Sequence, residues 1–137
     1  MKMTTTTKKS EQYLPAGDYW IGDLSYVMGD TYFNEEVYNY NGQGIQYTKA
    51  GHAYVFQHTA AGDGVFYDED GDAYAVDAGN IGIVEVDAIE DDPYFAEGGV
   101  FVEMNEAFTF GYQEHGGVIT YSDINIVTFP WDYEESY

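Results

Sequence analysis

From Leu14 onward, short apolar segments alternate with Gly, Asp and Asn, at a spacing of about one segment every ten residues. This rhythm is typical of sandwiches and barrels, because β-α-β units separate their strands by long helical patterns. The sequence therefore predicts a mainly β protein, either a single antiparallel sandwich or a partly closed barrel with one short helix. The predicted strands are Asp18–Ile21, Leu24–Met28, Gly44–Lys49, Ala53–His58, Val65–Asp68, Ala73–Val76, Ile81–Val86, Val100–Met104, Ala107–Tyr112, Val118–Tyr121 and Ile124–Phe129.

One segment has helical rather than strand periodicity. Apolar residues recur at helical spacing within Thr31–Tyr40, with Asp30 as an N-terminal cap and Gly42 just beyond the end. These signals predict the one helix at Thr31–Tyr40. A second, shorter helical turn fits Asp87–Asp91.

Charged residues are distributed unevenly along the chain. The 137 residues include 25 Asp and Glu but four Lys and Arg, which gives a formal net charge of -21. Three of the basic residues, Lys2, Lys8 and Lys9, fall at the N-terminus. We therefore expect a basic polar arm at 1–12 and an acidic β domain at 13–137. An aromatic content of 18% excludes a disordered acidic tail, because such tails contain few aromatic residues.

Composition also excludes several classes of function. Direct binding of nucleic acid requires Lys or Arg at the phosphates, and Lys49 is the one basic residue beyond the arm. The absence of Cys excludes disulfides, thiol nucleophiles and thiolate metal sites. The sequence contains no apolar run typical of a membrane helix or a signal peptide. We expect a soluble protein in the cytoplasm of a host cell, or in a virion.

Catalytic signatures are missing from the sequence. It contains no nucleophile-elbow, phosphate-loop or dinucleotide motif, and its three His lack the spacing of zinc ligands. Carboxylate pairs would occur by chance in so acidic a chain. The sequence therefore predicts a protein that is not an enzyme, with no catalytic residue and no cofactor.

The densest group of acidic residues is Asp68, Asp70 and Asp72. Alternate Asp residues resemble the opening of a calcium-binding loop, but the Gly falls too early and position twelve would be Gly79 instead of Glu. A β-hairpin whose turn contains Asp70 and Gly71 explains the same residues. The hairpin is the preferred prediction, and a calcium site at the turn is the alternative.

The stretch Leu14–Val27 (LPAGDYWIGDLSYV) resembles a group of small β proteins encoded by bacteriophages, large DNA viruses and some bacteria. A second similar stretch joins Gly62–Tyr67 (GDGVFY) to Val76–Val84 (VDAGNIGIV). Relatives often carry Pro-Cys where this chain has Leu24 and Ser25, so any role of that Cys is absent here. The resemblance implies a viral source and transfers no activity.

Acidic side chains combined with exposed aromatics predict a surface that attracts basic partners. About twelve base pairs of duplex DNA carry a similar charge, so we expect an inhibitor of a host nucleic-acid-binding protein, such as a defence protein, that acts by charge mimicry. One alternative is a virion structural or decoration protein, which would form a homo-oligomer. Another is a calcium-stabilised β module. The predicted partner-binding residues are Glu35, Glu36, Asp68, Asp70, Asp72, Glu90, Asp91, Asp92, Trp131, Tyr133, Glu134, Glu135 and Tyr137.

Overall fold

Short strands connected by turns make up the part of the chain that the structure describes. The computed structural model describes residues 13–28, 44–89, 96–113 and 117–128. Three-residue 3₁₀-helices occupy Leu24–Tyr26, Val86–Ala88 and Ala96–Gly98. The predicted helix Thr31–Tyr40 lies outside the described residues. The strands are β1 (Tyr13–Leu14), β2 (Gly17–Gly22), β3 (Gln46–Tyr47), β4 (Ala53–Val55), β5 (Gly64–Asp68), β6 (Ala73–Val76), β7 (Gly82–Glu85), β8 (Val100–Met104), β9 (Phe108–Gln113), β10 (Val118–Tyr121) and β11 (Ile124–Val127).

Paired strands run antiparallel throughout these ranges and form two sheets. The six-stranded sheet has the order β1-β9-β10-β11-β5-β6, and the five-stranded sheet has the order β3-β4-β7-β2-β8. Side chains from both sheets meet in one core, and the described strands form two open sheets rather than a closed barrel. Of the two architectures that the sequence allows, the antiparallel sandwich is confirmed.

The two sheets are connected at one edge by two neighbouring chain segments, Tyr13–Gly22 and Val100–Gln113, which pair with each other in both sheets. Tyr13 and Leu14 pair with Thr109 and Phe108 in the six-stranded sheet, and the same two segments continue as the β2–β8 pair in the other sheet. Two residues separate β1 from β2, whereas residues 105–107 separate β8 from β9. This mismatch acts like a bulge, which is how strands turn a corner between packed sheets.

The main core lies between the sheets and consists of alternate strand residues. Tyr19 and Phe108 meet edge to face with ring centroids 5.2 Å apart. The hydroxyl of Tyr121 donates a 2.7 Å hydrogen bond to the carbonyl of Ile81, so its polar end is satisfied within the core. The buried members are Leu14, Tyr19, Ile21, Ala53, Val55, Phe66, Tyr74, Val76, Ile81, Ile83, Phe108, Ile119, Tyr121 and Ile126.

A second apolar cluster covers the other face of the five-stranded sheet. Trp20, Tyr54 and Val84 lie on that face, and residues from the segment after β2 pack over them. Gly22 leaves room for the Trp20 indole, since a Cβ at position 22 would lie 2.5 Å from its Cη2 atom. The five-stranded sheet is therefore covered on both faces around Trp20, Tyr54 and Val84, whereas Phe101 on its edge strand β8 is 58% exposed.

The outward face of the six-stranded sheet has a different character. Because side chains alternate along a strand, the residues between the core positions point outward. The described residues at these positions include no acidic or basic side chain, and we call this surface the neutral face. It consists of Tyr13, Val65, Tyr67, Ala73, Ala75, Thr109, Gly111, Gln113, Val118, Thr120, Asn125 and Val127.

The predicted strand Leu24–Met28 is wrong. Leu24–Tyr26 forms a 3₁₀-helix, because the side chain of Asp23 caps it by accepting a hydrogen bond from the backbone N–H of Ser25. The apolar residues of this segment belong to the second cluster rather than to a strand.

Other strands are displaced or shorter than predicted. Ala73–Val76, Val100–Met104 and Val118–Tyr121 lie where the sequence predicts them. Strand β4 ends at Val55, because the following residues leave the sheet and form a bridge at His58 with Asn80. The predicted helical turn at Asp87–Asp91 is displaced to Val86–Ala88, and residues 90–91 lie outside the described ranges.

Candidate functional site

The hairpin predicted around Asp70 and Gly71 is confirmed. Strands β5 and β6 pair antiparallel and the connecting turn contains both residues. Gly71 has φ +88°, a conformation that side-chain-bearing residues rarely adopt. Its backbone N–H donates to the carbonyl of Asp68 at 3.1 Å, which closes the turn.

The carboxylate of Asp68 stabilises this turn. Its Oδ1 atom accepts hydrogen bonds from the backbone N–H groups of Asp70 at 2.9 Å and Asp72 at 3.0 Å. Its Oδ2 atom accepts a 2.7 Å bond from the Tyr74 hydroxyl. Burial, together with this hydrogen bond to Asp68, raises the pKa of Tyr74 above its ordinary value. Asp68 therefore has a structural role in the turn, and its role in binding a partner stays a prediction.

The three Asp residues of the turn do not converge as metal ligands. Within the described ranges, no group of three or more His, Cys, Asp or Glu side chains could hold a metal ion. The calcium alternative therefore has no support from the geometry of Asp68, Asp70 and Asp72.

Three turns gather exposed carboxylates at one end of the six-stranded sheet. The β5–β6 turn, the β8–β9 connection and the β10–β11 turn all reach this end because of the antiparallel register. The backbone N–H of Ser122 donates to the carbonyl of Thr109 at 2.8 Å, which ties two of the turns together. The exposed acids there are Glu69, Asp70, Asp72, Glu106 and Asp123, and we call them the acidic turn cluster.

Glu69 links the cluster to strand β11. Its Oε1 and Oε2 atoms accept bonds from the backbone N–H of Asn125 at 3.1 Å and from the Asn125 side-chain amide at 2.7 Å. The side-chain bond from Asn125 is the main reason that the pKa of Glu69 lies below its usual value, followed by the backbone bond. Sequence reasoning missed Glu106 and Asp123, because only strand register brings their turns to the end of the sheet where the β5–β6 turn lies. It also passed over Glu69, although this residue lies between Asp68 and Asp70 in the chain.

The remaining predicted partner-binding residues lie outside the described residues. They are Glu35, Glu36, Glu90, Asp91, Asp92, Trp131, Tyr133, Glu134, Glu135 and Tyr137.

The other end of the molecule contains a carboxylate with the opposite environment. The side chain of Asp23 is completely buried. Its Oδ1 atom accepts hydrogen bonds from the Ser25 backbone N–H at 2.9 Å, the Ser25 hydroxyl at 2.7 Å and the Asn80 amide at 3.0 Å. Its Oδ2 atom accepts bonds from the backbone N–H groups of Asp77 and Ala78, both at 2.7 Å. Five donors therefore satisfy one buried carboxylate.

This network connects the segment Leu14–Val27 to the segment Val76–Val84. Asn80 completes it by accepting a 3.0 Å bond from the Leu24 backbone N–H. The Tyr26 hydroxyl donates to Asp77 at 3.0 Å, and burial together with this bond raises the pKa of Tyr26. The Asp23 oxygens are occupied by backbone and side-chain donors, so the observed arrangement stabilises the two loops.

No protein-family model, curated protein or solved structure matches this chain. The resemblance to viral β proteins therefore stays a prediction. Among the described residues, no helix has the length and apolar character needed to span a membrane.

Proposed function

We propose that this chain is a non-catalytic acidic protein that binds a basic protein surface and inhibits a nucleic-acid-binding protein by charge mimicry. The observation that carries the proposal is the acidic turn cluster, in which three turns present exposed carboxylates side by side. The chain has 25 acidic residues and four basic ones, so its own cations can neutralise few of these carboxylates. An uncompensated cluster attracts basic partners and accelerates their association.

The spacing of the cluster supports mimicry of a phosphate backbone. Its turns span the strand rows β9, β10, β11, β5 and β6, which are four intervals of about 4.8 Å, or about 19 Å. Five carboxylates over that width correspond to about one charge per 4 to 5 Å. One strand of DNA carries one charge per about 3.4 Å, so the two linear charge densities are similar.

The test is a pull-down from lysate of the host cell with two variants of equal charge. The turn variant carries Asp70→Asn, Asp72→Asn and Glu106→Gln. The control variant carries Asp63→Asn, Asp87→Asn and Glu97→Gln, three exposed acids outside the cluster. Retained proteins are identified by mass spectrometry and challenged with salt and with duplex DNA.

The proposal predicts a nucleic-acid-binding protein that the wild type retains at low salt and that DNA displaces. The turn variant should weaken its retention about tenfold, and the control variant by less than about twofold, because charges outside an interface act only through the screened long-range field. Equal weakening by both variants would overturn the role of the cluster. Retention of no such protein would overturn the proposed function.

A further inference from the structure

The dipeptide Asp–Gly occurs twice in the sequence, at Asp63–Gly64 and at Asp70–Gly71. Because Gly has no side chain, its backbone nitrogen is unshielded and can approach the carboxyl carbon of the preceding Asp. The two dipeptides have the same chemistry, but the fold gives them different surroundings. One lies at the start of strand β5, and the other lies in the β5–β6 turn.

The strand restrains the first dipeptide. Gly64 is the first residue of β5 and pairs with Val76 of β6. A bond between the Gly64 nitrogen and the Asp63 side chain requires rotation of the peptide plane between the two residues, which takes Gly64 out of this pairing. Residues of a paired strand leave their sheet only through a local opening of high free energy. The reaction at Asp63 must therefore wait for such an opening.

The turn holds the second dipeptide less firmly. Asp70 and Gly71 are both exposed, and a Cβ placed at Gly71 would meet no described atom within 4 Å beyond its chain neighbours. Two hydrogen bonds to Asp68 hold the pair, one from the Gly71 N–H to the carbonyl at 3.1 Å and one from the Asp70 N–H to Oδ1 at 2.9 Å. Exposed turns open at a lower free energy than paired strands, so the Gly71 nitrogen is the more accessible of the two.

We infer that Asp70 is a site of spontaneous isoaspartate formation in the folded protein, whereas Asp63 is protected. In the first step the backbone nitrogen of Gly71 bonds to Cγ of Asp70, and the carboxyl hydroxyl leaves with the amide proton as one molecule of water. The product is a five-membered succinimide ring. In the second step one molecule of water opens the ring. Cleavage at Cγ restores Asp, and cleavage at the backbone carbonyl carbon of Asp70 gives isoaspartate without a change in mass.

Isoaspartate changes the geometry of the turn. The main chain at position 70 becomes one atom longer, because it now passes through Cβ and Cγ, and the free carboxylate moves to Cα. The N–H groups of Asp70 and Asp72 then no longer have the spacing at which both reach Oδ1 of Asp68. The reaction needs no partner, so this inference and the proposed function can fail independently.

The test follows isoaspartate in the full chain during incubation at neutral pH, in parallel in native buffer and in urea that unfolds the chain. Chymotrypsin cleaves after aromatic residues and places the two dipeptides in separate peptides, 57–66 and 68–74. Mass spectrometry with synthetic isoaspartyl peptides as standards measures the product in each peptide.

In native buffer, isoaspartate should form at least about tenfold faster in 68–74 than in 57–66. In urea the two rates should agree within about twofold, since neither dipeptide is then held by the fold. Equal rates in native buffer, or no isoaspartate in 68–74, would overturn the inference. A difference that persists in urea would also overturn it, because the local sequence rather than the fold would then be its cause.

Two conservative variants locate the reacting residue. Asp70→Glu prevents the reaction at position 70, because Glu would have to close a less favourable six-membered ring, and should abolish isoaspartate in 68–74. The matched variant Asp63→Glu should leave the rate in 68–74 unchanged. Isoaspartate that persists in 68–74 of Asp70→Glu would arise at Asp68 or Asp72 and would overturn the inference. The comparison of native buffer with urea uses the wild type alone, and it decides the question if a variant does not fold.

Discussion

The two ends of this sandwich use the same kind of side chain in opposite ways. At one end Asp23 is completely buried, and five hydrogen-bond donors surround its oxygens. At the other end Asp70 and Asp72 are exposed in a turn whose bonds are made by Asp68. Hydrogen-bond donors supplied by the fold, rather than the density of acids in the sequence, therefore decide which carboxylates are structural and which are available to a partner.

The largest expected loss of stability comes from substitution of the buried carboxylate, Asp23. Asp23→Asn replaces one acceptor oxygen by an amide that faces N–H donors, so we expect a loss of about 3 kcal/mol or more in the free energy of unfolding. Urea unfolding measures this loss. The control Asp63→Asn removes an exposed carboxylate and should change stability by less than about 0.5 kcal/mol. A loss below about 1 kcal/mol for Asp23→Asn would refute the structural importance of the network.

High pH should unfold the protein through its buried tyrosines. Burial and, to a lesser extent, the nearby Glu85 raise the pKa of Tyr19 to about 12, and burial raises the pKa of Tyr121 further. Because the folded pKa exceeds the unfolded value of about 10, this stability is complete below pH 10 and is lost as pH rises toward 12. Each such tyrosine lowers the unfolding free energy by about 1.4 kcal/mol per pH unit in that window.

Denaturant titrations between pH 9 and about pH 12, with tyrosinate absorbance as the second signal, measure this dependence. Tyr121→Phe should be less stable at neutral pH, because the carbonyl of Ile81 loses its hydrogen bond, but its stability should fall less steeply with pH. Tyrosinate absorbance that appears in full near pH 10, before unfolding, would contradict the prediction.

Within the β5–β6 hairpin, substitutions of neighbouring aspartates should have different effects on stability. Asp68→Asn weakens a turn in which both carboxylate oxygens accept hydrogen bonds, so we expect a loss of about 1 to 2 kcal/mol. Asp70→Asn removes an exposed carboxylate and should change stability by less than about 0.5 kcal/mol. Thermal or urea unfolding of the two variants provides the comparison. Equal losses of stability would contradict the different structural roles of the two residues.

The smallest expected effect is an increase in stability. Asp18 and Glu103 lie directly opposite each other on strands β2 and β8, an unfavourable pairing of like charges. Asp18→Lys should replace repulsion by attraction and stabilise the protein by about 0.2 to 1 kcal/mol at low salt. The gain should shrink in 1 M NaCl, where the Debye length is about 3 Å. A gain that is unaffected by salt would require a different cause.

Local sequence patterns predicted much of the fold. The spacing of strands gave the fold class, and Asp70 with Gly71 gave the hairpin, because both depend on residues close together in the chain. The apolar pattern of Leu24–Met28 predicts a strand, whereas the structure has a 3₁₀-helix at Leu24–Tyr26. The cap itself is local, because Asp23 accepts a hydrogen bond from the backbone N–H of Ser25, but the same carboxylate also bonds to Asn80, which is 57 residues away and which the local apolar pattern does not reveal.

The candidate site was predictable only in part. Asp70 and Asp72 were recognised from their density in the sequence, whereas Glu106 and Asp123 are isolated acids in separate turns. Pairing of β9 with β10 and of β10 with β11 brings these turns to the same end of the sheet. Register is a long-range property, and the alternation of strands alone does not specify which strands are neighbours.

Charge mimicry by the acidic turn cluster is tested most directly by the salt dependence of binding to the partner recovered in the pull-down. Affinity is measured for wild type, the turn variant and the control variant between about 50 mM and about 500 mM NaCl. If the acidic turn cluster binds a basic surface, wild-type affinity falls steeply with salt, the turn variant binds more weakly with a shallower slope, and the control variant resembles wild type. A wild-type affinity that is independent of salt, or a turn variant that behaves like the control, would contradict charge mimicry by the cluster.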